Sequence, residues 1–177
     1  MRDFTTGDWP AVLAYQRDPR YLRYNEWTDR LPEDVQHFVG MFVGQQRERP
    51  RLRFQLAVVI RETGELIGNC GVRKSFPTAT DAEMGYEIAP DHWGYGYAPE
   101  AARAMLAFAF DELQVHRVAA WCVAENVQSA RVLEKVGMTC EGRLREAQYF
   151  KGRWWDSLVY AILEPEWRTL HPDQQIG

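Results

Sequence analysis

Long apolar runs are missing from this chain of 177 residues, and so is a framework of cysteines. The longest uninterrupted apolar stretches, such as positions 104–110, are far shorter than the roughly 20 residues of a membrane-spanning helix. Residues 1–8 contain no apolar segment of the kind found in secretory signals. Cys70, Cys122 and Cys140 are odd in number and far apart, which argues against disulfides and against a cysteine zinc site. We therefore expect a cytoplasmic protein that does not enter the membrane.

Charge of one sign is not concentrated anywhere in the chain. Its 21 basic and 25 acidic residues are interspersed and give a formal net charge of −4. The densest basic stretch, at positions 47–53, is interrupted by Glu48 and Pro50, so it suits a loop or a helix end better than a nucleic-acid-binding stripe. The histidines lack the spacing of metal ligands. We therefore expect neither nucleic-acid binding nor a metal site.

Hydrophobic periodicity alternates between helical and strand patterns, which indicates an α+β fold around a central sheet. Helical patterns are found at positions 9–17, where Asp8 is predicted to cap the helix, and at 32–46, 99–113 and 127–136. Strand patterns are found at positions 53–61, 66–73, 81–89, 117–123, 138–149 and 155–163. The length suits a single domain, residues 1–177, with a core of residues 4–167 and a C-terminal tail at 168–177.

A loop with two glycines joins the strand at 81–89 to the long helix. It contains Trp93, Gly94, Tyr95 and Gly96, and the helix is predicted to begin at Pro99. Glycines let the backbone approach a ligand closely, and free N–H groups at a helix N-terminus attract phosphate. A plain strand-to-helix turn that needs two flexible residues explains the same pattern.

Two familiar phosphate-binding motifs do not match this loop. A P-loop requires Gly-Lys-Ser/Thr at the helix start, whereas Gly96 is followed by Tyr97 and Ala98. The dinucleotide fingerprint requires a third small residue where this chain has Pro99. The diphosphate of coenzyme A needs backbone donors and no magnesium, so it remains as a ligand that this loop suits.

Positions 93–98 resemble the acyl-CoA-binding loop of the GNAT N-acetyltransferases, Arg/Gln-x-x-Gly-x-Gly/Ala, with Trp93 in place of Arg or Gln. The resemblance extends over residues 4–167 and is strongest at 85–100, at 116–117 with 126–137, and at 152–156. Trp93 is usual in the branch similar to ribosomal-protein N-terminal alanine and serine acetyltransferases. The resemblance implies an acyl-CoA N-acyltransferase fold, whose mixed, mostly antiparallel sheet splays at the CoA site. It also implies acetyl-CoA as co-substrate and allows a homodimer.

The resemblance also indicates which residues bind the coenzyme. Pro90 lacks an N–H and interrupts the strand, so backbone groups near Ile88 and Ala89 are expected to be free for the pantetheine arm. Asn126 is predicted to cap the next helix, and its segment resembles the second CoA block, in which the Asn contacts the pantetheine and Ser129 lies near the sulfur. The expected coenzyme-binding residues are Ile88, Ala89, Trp93, Gly94, Tyr95, Gly96, Tyr97, Ala98, Asn126 and Ser129.

Two carboxylates are expected on one face of the strand before the loop, because strand periodicity groups Glu83 and Glu87 with Gly85. An amine must lose a proton before it attacks a thioester, and a carboxylate can accept that proton. A solvated strand face explains both acids as well, but the resemblance favours Glu83 as the base, commonly acting through water, with Glu87 as the second candidate. Ser129 is the expected catalytic partner of the leaving sulfur, because Leu133 occupies the position where many GNAT enzymes have a tyrosine acid.

The predicted acceptor is a primary amine, first of all the N-terminal α-amine of a protein or peptide. In the resembled family the first-helix region and the last hairpin border the acceptor groove, and carboxylates and aromatic faces suit a cation. The expected acceptor-binding residues are Tyr24, Trp27, Glu87, Trp154 and Asp156. Three alternatives stay open: an acetyltransferase of a small amine such as an aminoglycoside, polyamine or amino-acid derivative, a non-catalytic CoA-binding module, and a nucleotide-binding protein.

Overall fold

The computed structural model describes residues 1–172, which form a seven-stranded mixed sheet flanked by helices. The strands are β1 (Arg2–Asp3), β2 (Arg53–Val59), β3 (Leu66–Arg73), β4 (Asp81–Ile88), β5 (Arg117–Val123), β6 (Thr139–Phe150) and β7 (Arg153–Leu163). The helices are α1 (Trp9–Gln16), α2 (Pro19–Leu22), α3 (Pro32–Gln45), α4 (Tyr97–Asp111), α5 (Val127–Lys135) and α6 (Glu164–Leu170). The sheet order is β1-β2-β3-β4-β5-β7-β6, and every neighbouring pair is antiparallel except β4 and β5. The predicted α+β class with a central, mostly antiparallel sheet is confirmed.

Three details differ from the sequence-based expectations. Helix α4 begins at Tyr97, two positions before the predicted start, and Pro99 is tolerated there because first-turn N–H groups have no intrahelical acceptor. Asp8 does not cap α1, because its carboxylate accepts from Thr5 N at 2.7 Å. Helix α6, which was not predicted, reaches into the expected tail, and residues 173–177 of that tail lie outside the described residues.

Apolar side chains cover both faces of the sheet. Ala57 on β2 packs with α1 and α3, whereas the next residue, Val58, packs with α4 and α5. Helix α4 contributes Met105 and Leu106, and α3 contributes Val39, each of which is at most 1% exposed. Burial of such a side chain stabilises the fold by about 1.5–3 kcal/mol, so α4 and its preceding loop are held firmly against the sheet. Among residues 1–172, no helix combines the length and the apolar character needed to cross a bilayer.

The parallel strands β4 and β5 pair only near their beginnings and then separate. The last paired residues are Glu83 on β4 and Ala119 on β5. On its other side β4 stays paired with β3 as far as Ile88, which lies opposite Gly68. One edge of β4 is therefore open beyond Glu83, which is the splay that the resemblance implies.

The backbone of Ile88, rather than that of Ala89, faces this opening. Ala89 N donates to Ile67 O at 2.7 Å, and Ala89 O accepts from His92 N at 2.9 Å. Alternate residues of an antiparallel strand turn their backbone groups toward the same neighbour, so Tyr86 and Ile88 turn theirs away from β3 and into the gap. The expected free amide at Ala89 is therefore corrected, since both of its backbone groups already have protein partners.

Candidate active site

The separation of β4 and β5 opens a cleft of about 1100 Å³ between the glycine loop and α5. That volume suits a large, extended ligand. Of the predicted site residues, the cleft is lined by Tyr24, Glu83, Glu87, Ile88, Trp93, Gly94, Gly96, Tyr97, Ala98, Asn126 and Ser129. The predicted residues that do not line it are Trp27, Ala89, Tyr95, Trp154 and Asp156.

Both loop glycines adopt a left-handed backbone conformation. Gly94 has a φ of 84° and Gly96 a φ of 89°. A Cβ added to either residue would meet no atom within 4 Å. Glycine is therefore favoured here by the backbone conformation rather than by crowding, and the empty space beside the loop leaves its backbone accessible to a ligand.

Unpaired amides make this loop a cradle for an anion. The amides of Tyr97 and Ala98 lie in the first turn of α4 and have no intrahelical acceptor. Within residues 1–172, the amides of Gly94, Tyr95 and Gly96 have no hydrogen-bond acceptor either. The positive end of the α4 dipole adds to the attraction for negative charge. The loop therefore fits the diphosphate of coenzyme A.

Trp93 connects this loop to the end of β4. Its Nε1 donates to Ile88 O at 2.7 Å, so that N–H is already used within the protein. An arginine or glutamine at the same position could offer side-chain N–H groups to phosphate, whereas this indole offers none. The side chain of Trp93 therefore positions the loop, and the anion cradle consists of backbone amides.

Helix α5 presents Asn126 and Ser129 on the opposite wall of the cleft. Asn126 Oδ1 accepts from Ser129 N at 3.2 Å, which confirms the predicted cap. The hydroxyl of Tyr86 lies 2.9 Å from Ser129 Oγ and donates to Ser129 O at 3.0 Å. Sequence analysis missed this contact because strand periodicity places Tyr86 among core residues and Ser129 is 43 positions away.

Burial raises the pKa of two groups near Ser129 further above neutral pH. It raises the pKa of the Tyr86 hydroxyl above its ordinary value. It also raises the pKa of the Cys122 thiol to about 11. Tyr86 is therefore a hydrogen-bond donor to Ser129, and Cys122 lines the cleft as a thiol, not as a thiolate nucleophile.

Replacing Ser129 with alanine tests this wall of the cleft. We expect kcat for acetyl transfer to fall about 10-fold, because the leaving sulfur loses a hydroxyl that Tyr86 holds in place. The affinity for acetyl-CoA, measured by calorimetry, should change by less than about 3-fold. Ser75→Ala, which lies outside the cleft, should change neither quantity. An unchanged kcat in Ser129→Ala would mean that water protonates the thiolate.

The first of the two β4 carboxylates, Glu83, is part of an ion pair. Its Oε1 accepts from Arg73 Nη2 at 2.6 Å and from Trp121 Nε1 at 3.0 Å. The side chain of Glu83 is 39% exposed, so water reaches it within the cleft. Glu83 is therefore a carboxylate with a cationic partner and with access to solvent.

Neutral donors hold the second carboxylate, Glu87. Its Oε2 accepts from Tyr15 OH at 3.0 Å, Gln16 Nε2 at 3.0 Å and Asn69 Nδ2 at 2.9 Å. All three donor residues are buried. Sequence analysis missed them because Tyr15 and Gln16 are separated from Glu87 by 72 and 71 positions, and only the packing of α1 on the sheet brings them together.

A buried arginine organises the network around Glu87, and its replacement should destabilise the fold. Arg30 Nε donates to Gln16 Oε1 at 3.0 Å, and the Arg30 guanidinium lies 4.5 Å from the centroid of the Trp27 ring. We expect Arg30→Met to lower the free energy of unfolding by about 3 kcal/mol, because Gln16 loses a donor and the ring loses its cation. Urea denaturation measures the change. The exposed replacement Arg47→Met should stay within about 0.5 kcal/mol, and an equally small change for Arg30→Met would contradict this role.

The remaining acceptor residues expected from the resemblance lie in different surroundings. Tyr24 lines the cleft. Trp27 packs against the cluster formed with α1 and α3, and Trp154 is exposed on β7. Asp156 accepts from Arg143 Nε at 2.7 Å. The structure therefore brings Tyr24 together with Glu83 and Glu87 in the cleft, but it does not bring Trp27, Trp154 or Asp156 there.

Comparison with known proteins identifies the family of the chain. A family model described as an acetyltransferase (GNAT) domain matches residues 1–139. The chain is 36% identical over 167 residues to the uncharacterized N-acetyltransferase YnaD of Bacillus subtilis, with 94% of each protein covered. It is 28% identical over 103 residues to the ribosomal-protein-serine acetyltransferase of Escherichia coli, with 58% of each covered.

A solved structure shares the fold at lower sequence identity. The spermidine N-acetyltransferase of Vibrio cholerae, in complex with CoA and spermine, superposes with a TM-score of 0.79 at 21% identity, covering 94% of this chain and 95% of that one. The family model covers most of the chain, and the relatives of the chain include ribosomal-protein acetyltransferases. The chain therefore belongs to the GNAT family of acetyl-CoA-dependent N-acetyltransferases.

Proposed function

We propose that this enzyme transfers the acetyl group of acetyl-CoA to the N-terminal α-amine of a protein or peptide in the cytoplasm, by direct attack in a ternary complex. The observation that carries the proposal is that one cleft contains both the backbone amides of the glycine loop, which lack acceptors within residues 1–172, and two carboxylates, Glu83 and Glu87, on the adjoining strand. Similarity to a ribosomal-protein-serine acetyltransferase favours a protein N-terminus as the first acceptor to test. A homodimer remains a prediction from the resemblance.

The backbone would bind and orient the co-substrate, which supplies an acetyl thioester when bound. The amides of residues 94–98 would hold its diphosphate. The amide of Ile88 faces the gap between β4 and β5, where it would donate a hydrogen bond to the thioester oxygen as negative charge develops there. Asn126 and Ser129 would contact the coenzyme from the opposite wall.

Side chains of the cleft would then take part in proton transfer. The acceptor ammonium must lose a proton to gain a nucleophilic lone pair, and Glu83, whose side chain is open to water, would accept that proton through a water molecule. Ser129 would turn its hydroxyl proton from Tyr86 OH, 2.9 Å away, toward the leaving sulfur when the coenzyme is bound. This scheme requires no covalent acyl-enzyme, in keeping with the protonated thiol of Cys122.

A small polyamine is the second candidate acceptor. One structural neighbour is a spermidine N-acetyltransferase in complex with CoA and spermine. The cleft of this chain is lined by the aromatic rings of Tyr24 and Trp121 as well as by the two carboxylates, a combination that suits an extended cation. Spermidine is therefore assayed beside the peptides.

An acetylation assay with a defined panel of amines tests the proposal. The panel contains peptides that begin with serine or alanine, the same peptides with a blocked N-terminus, spermidine and an aminoglycoside. Release of CoA measures the rate, and mass spectrometry locates the acetyl group. Acetylation of free peptide N-termini above the other amines supports the proposal, and preference for spermidine supports the second candidate. Binding of acetyl-CoA without transfer to any amine would indicate a coenzyme-binding module instead.

A further inference from the structure

The carboxylate of Glu87 is held through one oxygen only. Its Oε2 receives three hydrogen bonds, from Tyr15, Gln16 and Asn69, whereas Oε1 has no hydrogen-bond partner within residues 1–172. In that range Oε1 lacks a partner and yet is not fully buried, so it is accessible from the cleft. Since Glu87 lines the cleft, Oε1 is therefore open to a ligand there.

The donors around Glu87 are themselves fixed by a second set of hydrogen bonds. Arg30 Nε donates to Gln16 Oε1 at 3.0 Å, which turns the NH₂ group of Gln16 toward Glu87. Gln55 Nε2 donates to Asn69 Oδ1 at 2.6 Å, which turns the NH₂ group of Asn69 the same way. Both amides can therefore only donate to Glu87, and the network is built around an acceptor, as a carboxylate is.

The charge of this carboxylate has no direct counterpart in the protein. Within the part of the chain that the structure describes, no Lys, Arg or His side chain forms an ion pair with Glu87. Arg30 donates to Gln16 instead, and its charge acts on Tyr15 and Tyr21 beside Glu87. Glu83 differs, because Arg73 Nη2 lies 2.6 Å from its Oε1. Neutral donors stabilise the carboxylate of Glu87 but do not neutralise its charge, and a cation bound in the cleft would do so.

A second tyrosine hydroxyl lies next to the Glu87 carboxylate. The Tyr21 ring packs edge-on against Tyr15 with centroids 5.6 Å apart, and its hydroxyl is buried. Burial and then the charge of Glu87 raise the pKa of Tyr21 well above its ordinary value, so the hydroxyl keeps its proton. A protonated hydroxyl carries no positive charge, so Tyr21 leaves the charge of Glu87 without a cationic counterpart.

We propose that Oε1 of Glu87 binds the ammonium group of the acceptor before transfer, and that Gln16 and Asn69 are positioning residues for that carboxylate. This inference rests on the proposed function, since it assigns the amine subsite of the same cleft. It gives the two β4 carboxylates separate tasks. Glu87 recognises the charged amine, and Glu83, already paired with Arg73, takes part in the later loss of the proton.

Three carboxyl-to-amide variants separate these tasks. Glu87→Gln keeps the shape of the side chain and its ability to accept from Gln16 and Asn69, but it removes the charge. We expect it to raise KM for the accepted amine of the panel by at least about 10-fold and to change kcat by less than about 3-fold. Glu83→Gln should show the opposite split. Glu141→Gln, which lies outside the cleft and pairs with Arg117, should leave both parameters unchanged.

Direct binding provides a readout that does not depend on turnover. Calorimetric titration of the CoA-bound protein with propylamine should show at least about 10-fold weaker binding for Glu87→Gln than for wild type, and thermal melting confirms that each variant is folded. Equal affinity in the two proteins, or no measurable binding by either, would overturn the ammonium subsite. If wild type binds propylamine more tightly than Glu87→Gln but acetylates no amine, the subsite stands and the proposed function fails.

Discussion

Replacing Gly94 and Gly96 together with valine is expected to weaken acetyl-CoA binding by at least about 100-fold. Both glycines have positive φ angles, 84° and 89°, that a β-branched residue avoids. Holding such a residue in that conformation costs about 1–3 kcal/mol, so the loop of the double variant should take up another conformation. The amides of residues 94–98 would then no longer point together at one anion. Calorimetry with acetyl-CoA measures the loss.

A matched glycine elsewhere separates loop geometry from general damage to the fold. Gly64, in the turn between β2 and β3, has a φ of 73° and the same open space where a Cβ would stand, but it does not line the cleft. Gly64→Val should lower the melting temperature in the same way as a single loop replacement and leave acetyl-CoA affinity unchanged. Full affinity in the double variant would remove the amide cradle as the coenzyme site.

Glu83→Gln should lower kcat for amine acetylation about 100-fold at neutral pH. The amide cannot accept a proton, whereas its carbonyl oxygen can still accept from Arg73 and Trp121, so the local structure should persist. Acetyl-CoA binds at the glycine loop and along the open edge of β4 in this scheme, and its affinity should change by less than about 3-fold. Steady-state kinetics and calorimetry on the same preparation measure the two effects.

The effect of Glu83→Gln is to be compared with the effects of replacing two other carboxylates. Glu141→Gln controls for the loss of one surface charge, and Glu87→Gln reports on amine recognition. If Glu83→Gln retains wild-type turnover, Glu83 has no part in proton transfer. A loss of turnover that is restored at higher pH would instead support the loss of a base, because the free amine is then already present in solution.

Short-range patterns predicted the parts of the site that depend on a few consecutive residues. Alternation along β4 predicted that Glu83 and Glu87 share a face, and both line the cleft. Asn126 was predicted to cap α5, and its side chain accepts from Ser129 N. These predictions succeeded because strand alternation and helix capping depend on residues only a few positions apart in the sequence.

Contacts between distant segments could not be predicted in the same way. The hydrogen bond between Tyr86 and Ser129 spans 43 positions, and the one between Tyr15 and Glu87 spans 72. The backbone of Ala89 was expected to be free, but the ladder to β3 extends one residue further than the proline break indicated. Trp27, Trp154 and Asp156 were expected at the acceptor, but side-chain packing and an ion pair place them outside the cleft.

Local patterns in the sequence suffice to predict the class of fold, the glycine loop before a long helix and the pair of acids on the preceding strand. Each of these depends on local backbone preferences and on the alternation of side chains along a strand. The difference between the two acids arises from tertiary packing. Arg73 from β3 pairs with Glu83, whereas Glu87, among the described residues, accepts only from neutral side chains such as Gln16 from α1. Charge compensation depends on which distant side chains the packing brings within hydrogen-bond reach.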